Sequence, residues 1–327
     1  MLSYKNINGL MRHLRSNGID ISGSRQKTLL RNSGYYHGYK GYRFYKDSKQ
    51  RIPFSTYAEI DATIRYDSKL KALIYGYMMD IETAVKNISL ETILENSNSE
   101  SIQAMFDKVI SGYNNAPAGS KVDKRRKLQE SKLNLQKTIQ AALASEYSKG
   151  NPTITHFYNG SSYSGVPLWA LFEIMTMGDF GHLLQCLTYD VRDDLSRRLG
   201  INVSSDTDRQ LVYKYIYTLK DLRNAVAHNA VVFDTRFRKI EISKPMQECL
   251  KNEIGLPYVN FKALGDYIIL MCYYLKLLHY TKTEIKAFIR EFEKITNEYQ
   301  SEVSTAVSSV VIHPDTFSRM NILKNYI

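Results

Sequence analysis

The chain has 327 residues, 43% hydrophobic and 24% charged, the proportions of a globular protein with enough length to bury a core without disulfide staples. Its three cysteines form no CxxC pair and no even framework, which excludes a secreted disulfide scaffold, and the most apolar stretch, Tyr267 to Tyr280, is too short for a membrane span. Lys and Arg outnumber Asp and Glu by 44 to 33, and a net charge of +11 favours a polyanionic partner such as nucleic acid, with solubility as the plain alternative.

The opening Met1-Leu2-Ser3-Tyr4-Lys5-Asn6 runs straight into polar sequence and does not read as a secretory leader, so a soluble, cytoplasmic protein with no membrane partner is expected. Asn8 to Gly18 and Ser24 to Asn32 read as short helices, the first closed by Gly18. Gly34 to Tyr45 is an aromatic, Gly-rich and basic segment. Phe54 to about Asn96 reads as one long helix, because Ile60, Ile64, Leu70, Ile74, Met78, Ile81, Val85 and Ile88 recur at three- and four-residue steps. Asn114 to Gly119 is a break. Lys121 to Tyr147 follows as a charged helix, and Lys149 to Val166, rich in Gly, Asn, Ser and Pro, as a loop. Pro167 opens a further helix through Phe180, with proline in the favoured first turn. Ser205 to Asn229 is helical, capped by Ser204, Ser205 or Asp206. Val231 to Ile242 alternates enough for a short hairpin and is equally compatible with an irregular linker. Phe261 to Tyr280 and Lys282 to Tyr299 are two more helices.

The segment that carries chemistry is Leu222-Arg223-Asn224-Ala225-Val226-Ala227-His228-Asn229. It ends a helix whose core face is Val212, Tyr215, Ile216, Leu219, Leu222 and Val226, and Arg223 and His228 interrupt that face. An arginine stays charged and grips a phosphate through two parallel hydrogen bonds, while a histidine takes or gives a proton near neutral pH. Those are the parts needed to cut RNA without a metal. A base removes the 2′-hydroxyl proton, an acid protonates the leaving 5′-oxygen, and a cation steadies the phosphorane. At about 100° per residue, Asn224 and His228 share a face, whereas Arg223 and His228 stand about 140° apart. One helix therefore does not wrap a phosphate with both, and the motif occurs once. Two copies across a two-fold axis are the economical way to complete the site, so a homodimer is expected. Taken alone, an Arg-x4-His pattern is short and common, and a salt-bridged arginine beside a satisfied helix-end histidine is by a wide margin the better account of it.

Arg-Asn-x-x-x-His late in a helix resembles the HEPN nuclease motif, and LRNAVAHNAVVF resembles its form in the Abi (abortive infection) family of the AbiD and AbiF type. Other landmarks stand in family order: RNSGYYHGYKGYRFY, then Ile81-Glu82-Thr83-Ala84-Val85-Lys86, then Pro167-Leu168-Trp169 with Glu173, and Met177-Gly178-Asp179-Phe180. The resemblance spans roughly Ile7 to Phe237. Lys86 stands where the family usually has arginine, and Met177 where it has phenylalanine. The modified tyrosine that a different HEPN class carries two residues after its histidine is replaced here by Ala230.

The resemblance implies an all-α fold, a HEPN-type helical bundle with N-terminal helical additions. Residues 1–53 form a helical, aromatic-basic segment, residues 54–300 the bundle with a basic helical insertion over about 115–150, and residues 301–327 a tail packing on the bundle. It also implies a metal-independent endoribonuclease acting as a toxin or abortive-infection effector, with RNA as substrate, no cofactor, and a small non-coding RNA as a regulator in some members. Arg223, His228 and Asn224 are the catalytic candidates and Glu82 a supporting one. RNA-binding candidates are Lys40, Arg43, Lys121, Lys124, Arg125, Arg126, Lys127, Arg236, Arg238 and Lys239, taken from basic clusters, of which the first two are interleaved with tyrosines. Tyr36, Tyr42, Trp169 and Glu173 are assigned to packing, as is the His182 and Cys186 pair, which lacks a second pair to complete a zinc site. The competing readings are an RNA-binding HEPN protein that no longer cuts, held in a protein–RNA complex, and a DNA-binding regulator suggested by charge alone.

Overall fold

The computed structural model describes residues 5–159, 165–202, 204, 206–238 and 242–327. Among these are α1 (Ile7–Ser16), α2 (Gly23–Ser33), α3 (Tyr57–Ser97), α4 (Ile102–Lys108), α5 (Val122–Ser148), α6 (Pro152–Asn159), α7 (Leu168–Ile174) and α8 (Met177–Cys186). They are followed by α9 (Tyr189–Arg198), α10 (Leu211–Ala227), α11 (Lys244–Ile254), α12 (Leu264–Leu277), α13 (Lys282–Glu302), α14 (Thr305–Val311) and α15 (Thr316–Tyr326). A π-helical turn, Gly34–Lys40, follows α2 directly. The described residues contain no strand, only isolated bridges such as Asp20 with Thr56. The fold is all-α, as expected.

Two compact units divide the chain, and α3, α10 and α11 contribute to both. The first comprises residues 1–78, 221–239 and 250–327. Its centre is α12, whose residues from Leu264 to Leu275 are all buried, as an apolar helix without a polar face must be. α13 and α15 pack against it. Arg319 of α15 ion-pairs with Asp266 of α12, both buried, and the same carboxylate accepts the Phe261 N–H at 2.7 Å. Tyr66 stacks on Tyr299 at 4.4 Å. α3 starts on a capping box in which Thr56 accepts the Glu59 N–H and Glu59 accepts the Thr56 N–H. Burial pushes the Glu59 carboxyl up, but hydrogen bonds from Ser304, Ser55 and Thr56 outweigh it and hold the group at about 2.

The second unit comprises residues 79–220 and 240–249, with α6, α7 and α8 against α5. Three expectations are corrected here and in the segment after α10. The segment 149–166 is not all loop: Asn151 and Pro152 open α6, with the Asn151 side chain accepting the Thr153 N–H and proline at the first helical position. The helix expected from Pro167 is two helices, because Met175 is extended and Thr176 caps α8 by accepting the Asp179 N–H. Lys86 satisfies the carbonyl freed at that break, donating to Met175 O at 2.8 Å. The hairpin alternative for Val231 to Ile242 is not formed among the described residues. The N–H groups of Val232 and Phe233 go to the Asp67 carboxylate instead of a neighbouring strand, and turns follow.

Candidate active site

The helix expected from Ser205 starts only at Leu211, a correction: residues 206–210 form a turn, and Asp206, four residues before the flanking Gln210, reaches forward to accept the N–H groups of Gln210 and Leu211. Val212, Tyr215, Ile216, Leu219 and Leu222 are buried as predicted. In the last turn the buried position is Ala225, while Val226 is half-buried. Arg223 is half-buried and Asn224 and His228 are exposed. The Arg223 guanidinium lies 3.5 Å from the Asn224 side-chain oxygen.

The helix stops by a left-handed cap. Asn229 has φ +52°, its N–H bonds to Val226 O, and the Ala230 N–H reaches back to Ala225 O at 2.8 Å. Asparagine tolerates this conformation better than other residues with a Cβ, and its side chain is put to use. Its Oδ1 accepts a 2.6 Å hydrogen bond from Lys71 Nζ, and its Nδ2 lies 3.1 Å from His37 Nε2. The residue next to His228 thus ties the helix end to α3 and to the π-helical turn.

Beneath the cap lies Asp67, fully buried on α3. It pairs with Lys71 at 2.9 Å, accepts the Tyr42 hydroxyl at 2.8 Å and takes the N–H groups of Val232 and Phe233. Burial and this carboxylate together drive the Tyr42 hydroxyl far above its ordinary pKa. Two residues on, Asp234 ion-pairs with Arg236, whose other donors go to the carbonyls of Gly41 and Phe44 at 2.6 and 2.5 Å. The chain leaving the motif is therefore clamped at both ends by carboxylates.

The other candidates are distributed as follows. Lys40 is exposed, with its ammonium 4.6 Å from the Tyr36 ring centre. Arg43 lies over Phe44 at 4.4 Å. Tyr42 is core, as assigned, but Tyr36 is not: it is 74% exposed and meets Tyr35 edge-on. Arg238 donates to Asn260 O, and Lys239 lies outside the described residues. In the second unit, Glu82 is buried and pairs with Lys86 at 3.1 Å. Lys121, Lys124, Arg126 and Lys127 are exposed at the start of α5, and Arg125 is half-buried, donating to Ser120 O. Cys186 is buried with its thiol pushed up to about 12, chiefly by burial, as packing requires.

Four residues of this arrangement escaped the sequence reading: Asp67, Lys71, Asn229 and His37. Asp67 and Lys71 are an i, i+4 pair on a long helix, a signal easily taken for a solvated face. Asn229 follows the last helical turn, where an asparagine reads as a left-handed cap. What results is an arginine, an amide and an imidazole on one exposed helix end, with a buried ion pair below. That set can hold a phosphate and move a proton.

A family model described as Abi-like protein matches residues 28–234, well over half of the chain and every landmark from the π-helical turn to Asp234. No curated protein and no solved structure shows a significant match. The motif helix, its cap and the blocks that brace it all fall inside the matched range, and the chain belongs to the Abi-like protein family.

Proposed function

We propose that the protein is a HEPN-class endoribonuclease that acts as an abortive-infection effector and cuts RNA without a metal, using Arg223, Asn224 and His228. The family is one of abortive-infection defence. The observation that carries the reading is the open end of α10. Asn224 and His228 are exposed, Arg223 stands beside Asn224, and the turn that follows is braced from below by Asp67 and Lys71. An imidazole takes the proton from the 2′-hydroxyl, O2′ attacks phosphorus, and the P–O5′ bond breaks as O5′ gains a proton. The products are a 2′,3′-cyclic phosphate and a 5′-hydroxyl. Arg223 offsets the charge that builds on the phosphoryl oxygens.

In this reading two chains bring their α10 ends to one cleft and supply two arginines and two histidines. His37, held by Asn229, lies on the rim of the same helix end. Lys40, Arg43 and Arg238 in the first unit, and separately the basic start of α5 in the second, offer cations to an RNA backbone, and a small RNA is a candidate regulator. Arg236 and Glu82 brace neighbouring segments.

Alanine at Arg223 or at His228 is expected to abolish toxicity on expression and to lower RNA cleavage in EDTA by on the order of 10²–10⁴. The melting temperature of His228→Ala should not move, since that side chain is exposed, and the activity of Arg223→Ala is scored per folded molecule. Unchanged cleavage in either variant would remove these residues from the chemistry.

A further inference from the structure

The second unit contains a cleft of about 590 Å³ between α4, α5, α6 and the start of α7. Its size falls in the usual range for small-molecule sites, about 300–1,000 Å³. Trp169, the chain's single tryptophan, forms one wall and is 44% exposed, where packing alone would bury it. Phe157 meets it edge-on, 5.5 Å between ring centres, and Tyr158 lines the same cleft. The indole N–H donates to Glu100 Oε2 at 3.2 Å. The other carboxylate oxygen receives no hydrogen bond from the described residues. Gln103, whose amide nitrogen donates to Asp107, and Gln140 also line the cleft.

The wall is held rigidly. The Leu168 N–H bonds to Glu100 O at 2.8 Å, and Ser101 bridges to Pro167, so carboxylate and indole are fixed to one piece of backbone. An open aromatic face beside an acceptor carboxylate fits a flat heterocycle carrying adjacent N–H donors. Among nucleobases, guanine presents such a pair, N1–H and N2–H, to a carboxylate, and its face stacks on an indole. The surroundings supply the rest of a strand-binding track. Gln140 lies on α5, whose first turns carry Lys121, Lys124, Arg125, Arg126 and Lys127. At 1.5 Å and about 100° per residue, Arg126 and Gln140 are about 20 Å apart along the helix and only about 40° apart around it, the reach of a few unpaired nucleotides on one face. Charge that follows the backbone and an aromatic platform that takes a base are the two parts of single-strand recognition.

We propose that the Trp169 cleft binds an unpaired guanine of single-stranded RNA, with Trp169 stacking on the base and Glu100 accepting its Watson–Crick edge. The assignment does not rest on the cleavage chemistry proposed above.

Because Trp169 is the single tryptophan, its fluorescence, excited beyond the tyrosine band, reports on the cleft directly. The full chain is titrated with the four nucleoside monophosphates and with single-stranded RNA oligomers that differ in one G. Saturable quenching is expected, strongest for GMP and for G-containing oligomers. Glu100→Gln should flatten the preference for G yet leave quenching in place. Trp169→Ala should weaken oligomer binding, followed by anisotropy, by roughly 5–100-fold. Unmoved tryptophan emission while an oligomer binds, or equal quenching by all four bases, overturns the proposal. So does emission that follows protein concentration without nucleotide, which assigns the cleft to a second copy of the chain. Cleavage, and its loss in His228→Ala, is scored separately, so either assignment can fail alone.

Discussion

Asn229 shows how one side chain can serve both a backbone turn and a site. Its left-handed φ ends α10 directly after His228, and its amide joins Lys71 to His37. Replacing it separates the two jobs. Glycine accepts the turn but loses the charge-assisted hydrogen bond from Lys71, worth about 1.5–3 kcal/mol. Alanine loses the same bond and adds about 1 kcal/mol of backbone strain. Urea unfolding should therefore rank the wild type above Asn229→Gly and Asn229→Ala last. Both variants should cut RNA slowly if the placement of His228 matters. Equal stability of the glycine and alanine variants would mean that the cap contributes nothing. His37 and Lys71 could not have been assigned to this site from sequence, since their meeting with Asn229 joins positions far apart in the chain.

At the scale of elements, the critical support is α3 below the end of α10. Asp67 is fully buried and Lys71 nearly so, and the pair binds five groups: the Tyr42 hydroxyl, the N–H groups of Val232 and Phe233, the Asn229 side chain and the Ala230 carbonyl. Asp67→Ala leaves a buried ammonium unpaired and should destabilise the fold by about 3–5 kcal/mol. Adding Lys71→Met removes that charge and should recover a large part of the loss, measured by thermal or urea unfolding of the two variants. No recovery would mean that Asp67 acts mainly through the N–H groups of Val232 and Phe233. The long helices were legible in sequence because their apolar positions recur with a helical period, as Ile60, Leu70, Ile74, Met78, Ile81 and Val85 do on α3. Short or interrupted elements were not. α6 hides in Gly- and Ser-rich sequence, and the break at Met175 needs only one extended residue and a threonine cap. The motif was legible as an irregularity on an apolar face. Its supporting ion pair was not, because an i, i+4 Asp and Lys on a helix looks the same whether solvated or buried. The exposure of Tyr36 and Trp169 also escaped the reading, since an aromatic residue gives the same local signal in a core and on a binding face.

For the whole molecule, the net charge of +11 favours a polyanionic partner, and the proposed chemistry calls for a pair of chains. On an ideal helix Arg223 and His228 would stand about 140° apart, which is the ground for proposing that two chains share one cleft. Mixing an Arg223→Ala chain with a His228→Ala chain should therefore restore part of the activity that each lacks, through heterodimers in which one half of the cleft is intact. A protein that sediments as a monomer and cleaves at full rate would rule out the shared cleft. The most direct measurement of the central claim is the chemistry of the cut ends. RNA treated with the wild type in EDTA should carry 2′,3′-cyclic phosphate or 3′-phosphate and 5′-hydroxyl ends, and these ends should vanish in His228→Ala. Products ending in a 3′-hydroxyl, or cleavage that requires magnesium, would contradict it.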